Sequence, residues 1–108
     1  DNPATLSKRI IDEVIRGQIG FQGLLFTDDL SMQALGGEIG QRAAAALAAG
    51  CDVALHCNGE RADMQSVAAA CHGLTAAGQG RWQSALDWRR PLESASREDI
   101  TAKLAALL

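Results

Sequence analysis

Apolar residues recur at helical spacing near the start of the chain. Ile10, Ile11, Val14 and Ile15 share one face, Ser7 stands before them as an N-cap and Gly17 offers a stop, which predicts an amphipathic helix over residues 7–17. The pattern then changes. Gly23 opens Leu24-Leu25-Phe26-Thr27, a continuous apolar run that ends abruptly at Asp28-Asp29, as a strand buried on both faces does when it finishes in a polar loop. Past Gly36-Gly37, residues 38–49 are dominated by alanine, the strongest helix former, and Gly50 sits where a C-cap belongs. Cys51 to Cys57 reads as a second short strand closed by Asn58-Gly59, and Met64, Val67, Ala68 and Cys71 mark one face of a further helix.

Helix, strand, helix, strand, helix is the order of right-handed βαβ units in a parallel sheet, where residues that meet a ligand gather at the C-terminal ends of the strands. Asp28, Asp29, His56 and Asn58 all fall near that edge. The remainder predicts a helix around residues 76–88, a break at Pro91, and a last helix introduced by Ser96 with Asp99 three residues on, a pair resembling a capping box. This tail shows no catalytic motif, and no repeat or linker divides the chain.

Composition narrows the classes. A chain of 108 residues holds one small core at most, and 47% hydrophobic with 21% charged residues is ordinary for a folded α/β chain. A net charge of -3 with scattered Lys and Arg lacks the electrostatic footprint for nucleic acid or an anionic membrane. No stretch is apolar for long enough to cross a bilayer, and the opening Asp-Asn-Pro has no signal-peptide grammar, although a signal upstream on a longer parent would not show here. Cys51, Cys57 and Cys71 fit neither a disulfide framework nor a CxxC metal pair, which points to a reducing compartment and hence the cytoplasm.

Asp28-Asp29 alone reads as a turn or helix-cap pair. Its surroundings change that reading. Val14-Ile15-Arg16-Gly17-Gln18, a gap of four residues, then Gly23-Leu24-Leu25-Phe26-Thr27-Asp28-Asp29-Leu30-Ser31 resembles the active-site signature of family 3 glycoside hydrolases. Thr27 to Met32, with Asn2 to Ser7 ahead of it, is similar to the bacterial β-N-acetylglucosaminidase branch that recycles cell-wall fragments, and the resemblance extends to about Asn58. It implies an α/β fold of the (β/α)₈ TIM-barrel type, with Leu24 to Thr27 as the seventh strand and Asp52 to His56 as the eighth. Residues 1–108 would then be the C-terminal segment of a family 3 N-terminal-type catalytic domain: the last two βα units plus C-terminal helices, an incomplete barrel.

The resemblance also assigns roles. It makes Asp28 the nucleophile of a retaining hydrolysis of terminal non-reducing β-N-acetylglucosamine. Met32 would line the pocket for the acetamido methyl, against the plainer reading of a methionine filling core. Asp29 is expected to stabilise the loop, and His56 and Asn58 to be hydrogen-bonded rather than catalytic. No cofactor is implied, and a metal held by Asp28, Asp29, His56 and Cys57 has no supporting ligand motif. His72 reads as a partner of a helix C-terminus, Trp82 and Trp88 as packing residues. The implied partner is a GlcNAc-containing cell-wall saccharide. The family's general acid/base histidine, in its Lys-His-Phe-Pro-Gly-His type of motif, has no counterpart in this sequence. The segment alone is therefore expected to self-associate without turnover, and the alternative reading is a non-catalytic, self-associating remnant.

Overall fold

A single 3₁₀ turn over Ala4–Leu6 leads to Ser7, whose hydroxyl oxygen accepts the Ile10 amide at 3.3 Å and so caps the first helix as its spacing predicts. The computed structural model describes residues 3–89 and 96–107, so the break expected at Pro91 lies outside the described residues. Over Ile10–Gln18 the helix is π-wound, and the Ile19 amide closes on the Val14 carbonyl at 2.8 Å. The wider winding carries the chain past the stop expected at Gly17. Reversal comes instead at Gly20, whose φ of 70° lies in the left-handed region that only glycine enters without a Cβ clash. Ile11 on this segment is fully buried, and Ile15 packs against the same core.

Two strands, β1 (Phe26–Asp29) and β2 (Val53–Leu55), pair in parallel. Phe26 stands opposite Val53 and Asp29 opposite Leu55, so β1 takes one more residue than β2 between the same rungs. That surplus is a bulge, a device that re-aims side chains at a strand end. The Thr27 hydroxyl fills it, accepting the Leu55 amide at 2.9 Å where a backbone carbonyl would ordinarily stand. The ladder therefore begins later and runs further than the Leu24 to Thr27 run suggests. The Leu25 carbonyl takes the Asp52 and Val53 amides at its start, and the Leu30 amide reaches the Leu55 carbonyl at its end. Burial on both faces is not found: Thr27 is buried while Phe26 is 50% exposed. Among the described residues the sheet has just these two strands, and Phe26 and Leu55 on them are left partly exposed.

Between the strands runs α1 (Ile39–Ala49), opened by a capping box of Glu38 with Gln41 and closed by Gly50 at φ 116°. Its buried face is alanine: Ala43, Ala46 and Ala49. Small residues let α2 (Arg61–Ala70) approach so closely that a Cβ on Gly40 would stand 2.6 Å from Ser66 Oγ. Val67 and Ala70 face the core, with Cys71 just beyond the helix. Met64, expected on that face, is exposed. Next come α3 (Ala76–Asp87), capped by the Thr75 hydroxyl accepting the Gly78 amide, and α4 (Arg97–Ala105), whose Ser96 and Asp99 form the capping box their spacing predicts. Trp88 does not pack, being 86% exposed, and Trp82 is half covered.

Beneath the sheet an ion cluster ties four segments together. Asp52, its side chain 5% exposed, accepts from Arg16 Nη2 at 2.9 Å, Arg81 Nη1 at 2.7 Å and the Leu25 amide at 2.9 Å. Arg16 Nη1 adds the Phe21 and Gly23 carbonyls. A buried carboxylate needs such partners to offset its lost hydration. The radius of gyration is 18.7 Å against about 13 Å for a compact domain of this length, so the chain does not close into a globule of its own. Among the described residues no helix is long and apolar enough to cross a membrane.

Candidate active site

The bulge in β1 governs what the strand presents at its C-terminal end. Asp28, its penultimate residue, is exposed, and its Oδ1 accepts the Asp29 amide at 2.7 Å. The carboxylate is thus oriented by its own strand and open to a reacting partner. Asp29 is turned to structural use. Its Oδ1 accepts the Ser31 and Cys57 amides, each at 3.1 Å, joining the loops that follow the two strands. The Ser31 amide is the main influence holding the Asp29 carboxyl below its ordinary 3.8; the Cys57 amide and the neighbouring His56 add to it, against an opposing push from partial desolvation. Adjacent in sequence, the two carboxylates therefore meet different surroundings.

The loop from Leu30 to Gly37 is held from inside and from behind. Leu30 and Leu35 are fully buried, while Arg42, in the first turns of α1, donates to the carbonyls of Gly37 at 2.9 Å, Leu30 at 2.8 Å and Met32 at 3.2 Å. The planar guanidinium suits this work because its fixed fork satisfies several acceptors together. Met32 sits in the loop, half-buried, its amide bonded to the Asp29 carbonyl at 3.3 Å. It lies four residues beyond Asp28, on the same strand-end loop.

On the β2 side, the His56 side chain is 5% exposed, with Nδ1 3.3 Å from Ser31 Oγ. Asn58 makes a turn, its Oδ1 accepting the Glu60 amide and its Nδ2 donating to Asp63. Cys57 is exposed, whereas burial pushes the Cys51 thiol of the core upward. The structure gathers Asp28, Asp29, Met32, His56 and Asn58 at one sheet edge. His72 is elsewhere, beside Asp52 and Trp82 in a groove at the opposite end of the strands. Among the described residues no three His, Cys, Asp or Glu side chains converge as a metal site would require.

Thr27 and Arg42 brace the site edge and Asp52 ties the opposite end of the strands, and the hydrophobic pattern did not single them out. Arg42 had a local signal, a lone cation inside an alanine-rich helix; the others act on residues more than twenty positions away. Chemically, the arrangement offers a rigid, exposed carboxylate as nucleophile or charge stabiliser.

Comparison with known proteins gives this geometry a context. Residues 1–80 match the family described as the glycosyl hydrolase family 3 N terminal domain. A protein named beta-hexosaminidase from Tolumonas auensis is 41% identical over 104 residues, which is 90% of this chain and 30% of that protein. Proteins of the same name from Pseudomonas aeruginosa and Bordetella avium are 42% and 50% identical, over 75% and 52% of this chain and over 25% and 17% of their own lengths. The chain thus spans between 17% and 30% of the length of these relatives.

Proposed function

The chain belongs to the glycosyl hydrolase family 3 N terminal domain family, and from that premise we propose that it supplies the nucleophile, Asp28, of a retaining β-N-acetylglucosaminidase. The observation that carries this reading is an exposed carboxylate on the bulged C-terminal end of a parallel strand, where barrel enzymes keep their chemistry. One carboxylate oxygen attacks the anomeric carbon as the glycosidic bond breaks, and the departing oxygen takes a proton from a general acid that this chain does not supply. Water then cleaves the glycosyl ester and releases the sugar with retained configuration. No cofactor enters.

In this reading β1 and β2 are the seventh and eighth strands of a (β/α)₈ barrel, residues 1–108 are its C-terminal segment, and further polypeptide provides the other strands. The uncovered Phe26 and the open sheet edges suit that arrangement. The names of the relatives support a terminal N-acetylhexosamine as substrate. We take it to be a GlcNAc-containing cell-wall saccharide processed in the cytoplasm during peptidoglycan recycling. Met32 would meet its acetamido methyl from the Arg42-braced loop.

The test is hydrolysis of an aryl N-acetyl-β-glucosaminide by the native protein that carries this segment. Asp28→Ala is expected to bring turnover to the uncatalysed background, and undiminished turnover in that variant sinks the assignment. A second reading, a non-catalytic self-associating remnant, is favoured by the exposed apolar side chains Phe26, Leu55 and Trp88. A native subunit mass near 11.3 kDa, without hydrolysis, would select it.

A further inference from the structure

Burying an imidazole among polar loops is costly unless its ring nitrogens find partners. The His56 side chain is only 5% exposed and is faced from two elements. From the end of β1 come Ser31 Oγ, 3.3 Å from Nδ1, and Asp29 Oδ1, 4.0 Å from the same nitrogen. From the first turn of α2 comes Asp63 Oδ2, 4.0 Å from Nε2. Nε2 is buried and has no hydrogen-bond partner among the described residues. A separation of 4.0 Å is too long for a hydrogen bond, yet in a partly desolvated setting the two carboxylates still act on the ring through charge. From α1, the Arg42 guanidinium sits on the Leu30 and Met32 carbonyls of the same loop.

We propose that His56 is a positioning residue for the Asp28 carboxylate, an inference that rests on the role given to Asp28 above only for its catalytic consequence. The Ser31 hydroxyl can serve Nδ1 as donor or acceptor, whereas Nε2 faces the Asp63 carboxylate, which can only accept, so the geometry favours the ring proton on Nε2. Nδ1 is then the bare acceptor and takes the Ser31 hydroxyl proton. The Ser31 amide is in turn fixed on Asp29 Oδ1, which also holds the Cys57 amide. The Asp29 amide donates to Asp28 Oδ1. A short chain of contacts thus runs from the ring through Ser31 and Asp29 to Asp28, and it ties the nucleophile loop to β2 and α2.

The experiment uses the native protein that carries this segment, labelled with ¹⁵N and followed by NMR and amide hydrogen exchange. The neutral His56 ring is expected to carry its proton on Nε2 rather than on Nδ1. His56→Gln, which offers no group at the Nδ1 position, is expected to speed exchange of the Ser31 and Cys57 amides by about tenfold and to move the Asp29 amide resonance. His56→Asn, whose side-chain amide reaches that position, should restore both. Asp63→Asn, at the half-exposed rim, should redistribute the ring proton between the nitrogens, and it carries the test alone if His56→Gln does not fold. A ring protonated at Nδ1 in the unaltered chain, an unmoved tautomer in Asp63→Asn, or identical responses to Asn and Gln would overturn the proposal. None of these readouts involves hydrolysis, so their failure leaves the assignment of Asp28 untouched, and failure of that assignment leaves them unchanged.

Discussion

Asp28 and Asp29 show how far environment separates identical neighbours. Asp28 keeps its carboxylate exposed, whereas Asp29 gives one oxygen to two loop amides. Because its folded-state value is depressed, Asp29 contributes stability that is present above its ordinary 3.8 and is lost as pH falls through the lower folded value. Asp29→Asn should flatten that acid limb, as measured by denaturant unfolding at a series of pH values; an unaltered pH profile would contradict the loop role. Thr27 works differently, its buried hydroxyl standing in for a carbonyl across the bulge. Thr27→Val keeps the shape and strands the Leu55 amide, which should cost about 1 kcal/mol in chemical denaturation. The aspartate pair was legible in the sequence as a strand-end feature. The threonine's task was not, since its partner lies 28 residues away.

Among the elements, the helices were the more legible. Caps and alanine content act over three or four residues, so Ser7, Glu38, Gly50, Thr75 and Ser96 mark boundaries that local chemistry already dictates. The strands were shifted because their ends follow from pairing, not from where an apolar run starts. The first helix, expected to be α, is π-wound, with Arg16 on it reaching Asp52 across 36 residues. Asp52 is the hub of that cluster, with Arg16 and Arg81 side chains 14% and 26% exposed beside it. Asp52→Asn should destabilise by about 3 kcal/mol, since it leaves two guanidinium groups facing a neutral side chain. Thermal unfolding of the variant indistinguishable from that of the parent would show the cluster to be dispensable.

At the scale of the molecule, the sheet is the unfinished part. Two parallel strands expose both edges, and Phe26, Leu55 and Trp88 leave apolar surface uncovered. The isolated chain should therefore associate, and light scattering should report a mass above the monomer's 11.3 kDa. A sharply unfolding monomer would refute this. In a larger assembly that closes the sheet, the same surfaces would meet neighbouring strands and the site edge would become the mouth of a cleft.

Periodicity, capping and the Gly23 to Ser31 pattern determined by themselves the order of elements, the parallel βα character, the strand-end position of Asp28 and the family. All of these are written in residues a few positions apart. Tertiary structure alone decided the bulge in β1, the burial of His56, the seat of Arg42 on three loop carbonyls and the Asp52 cluster. The reason is that each depends on groups from separate elements arriving together. A linear pattern specifies which face of an element is apolar, but not which distant donor meets which acceptor once those faces are packed.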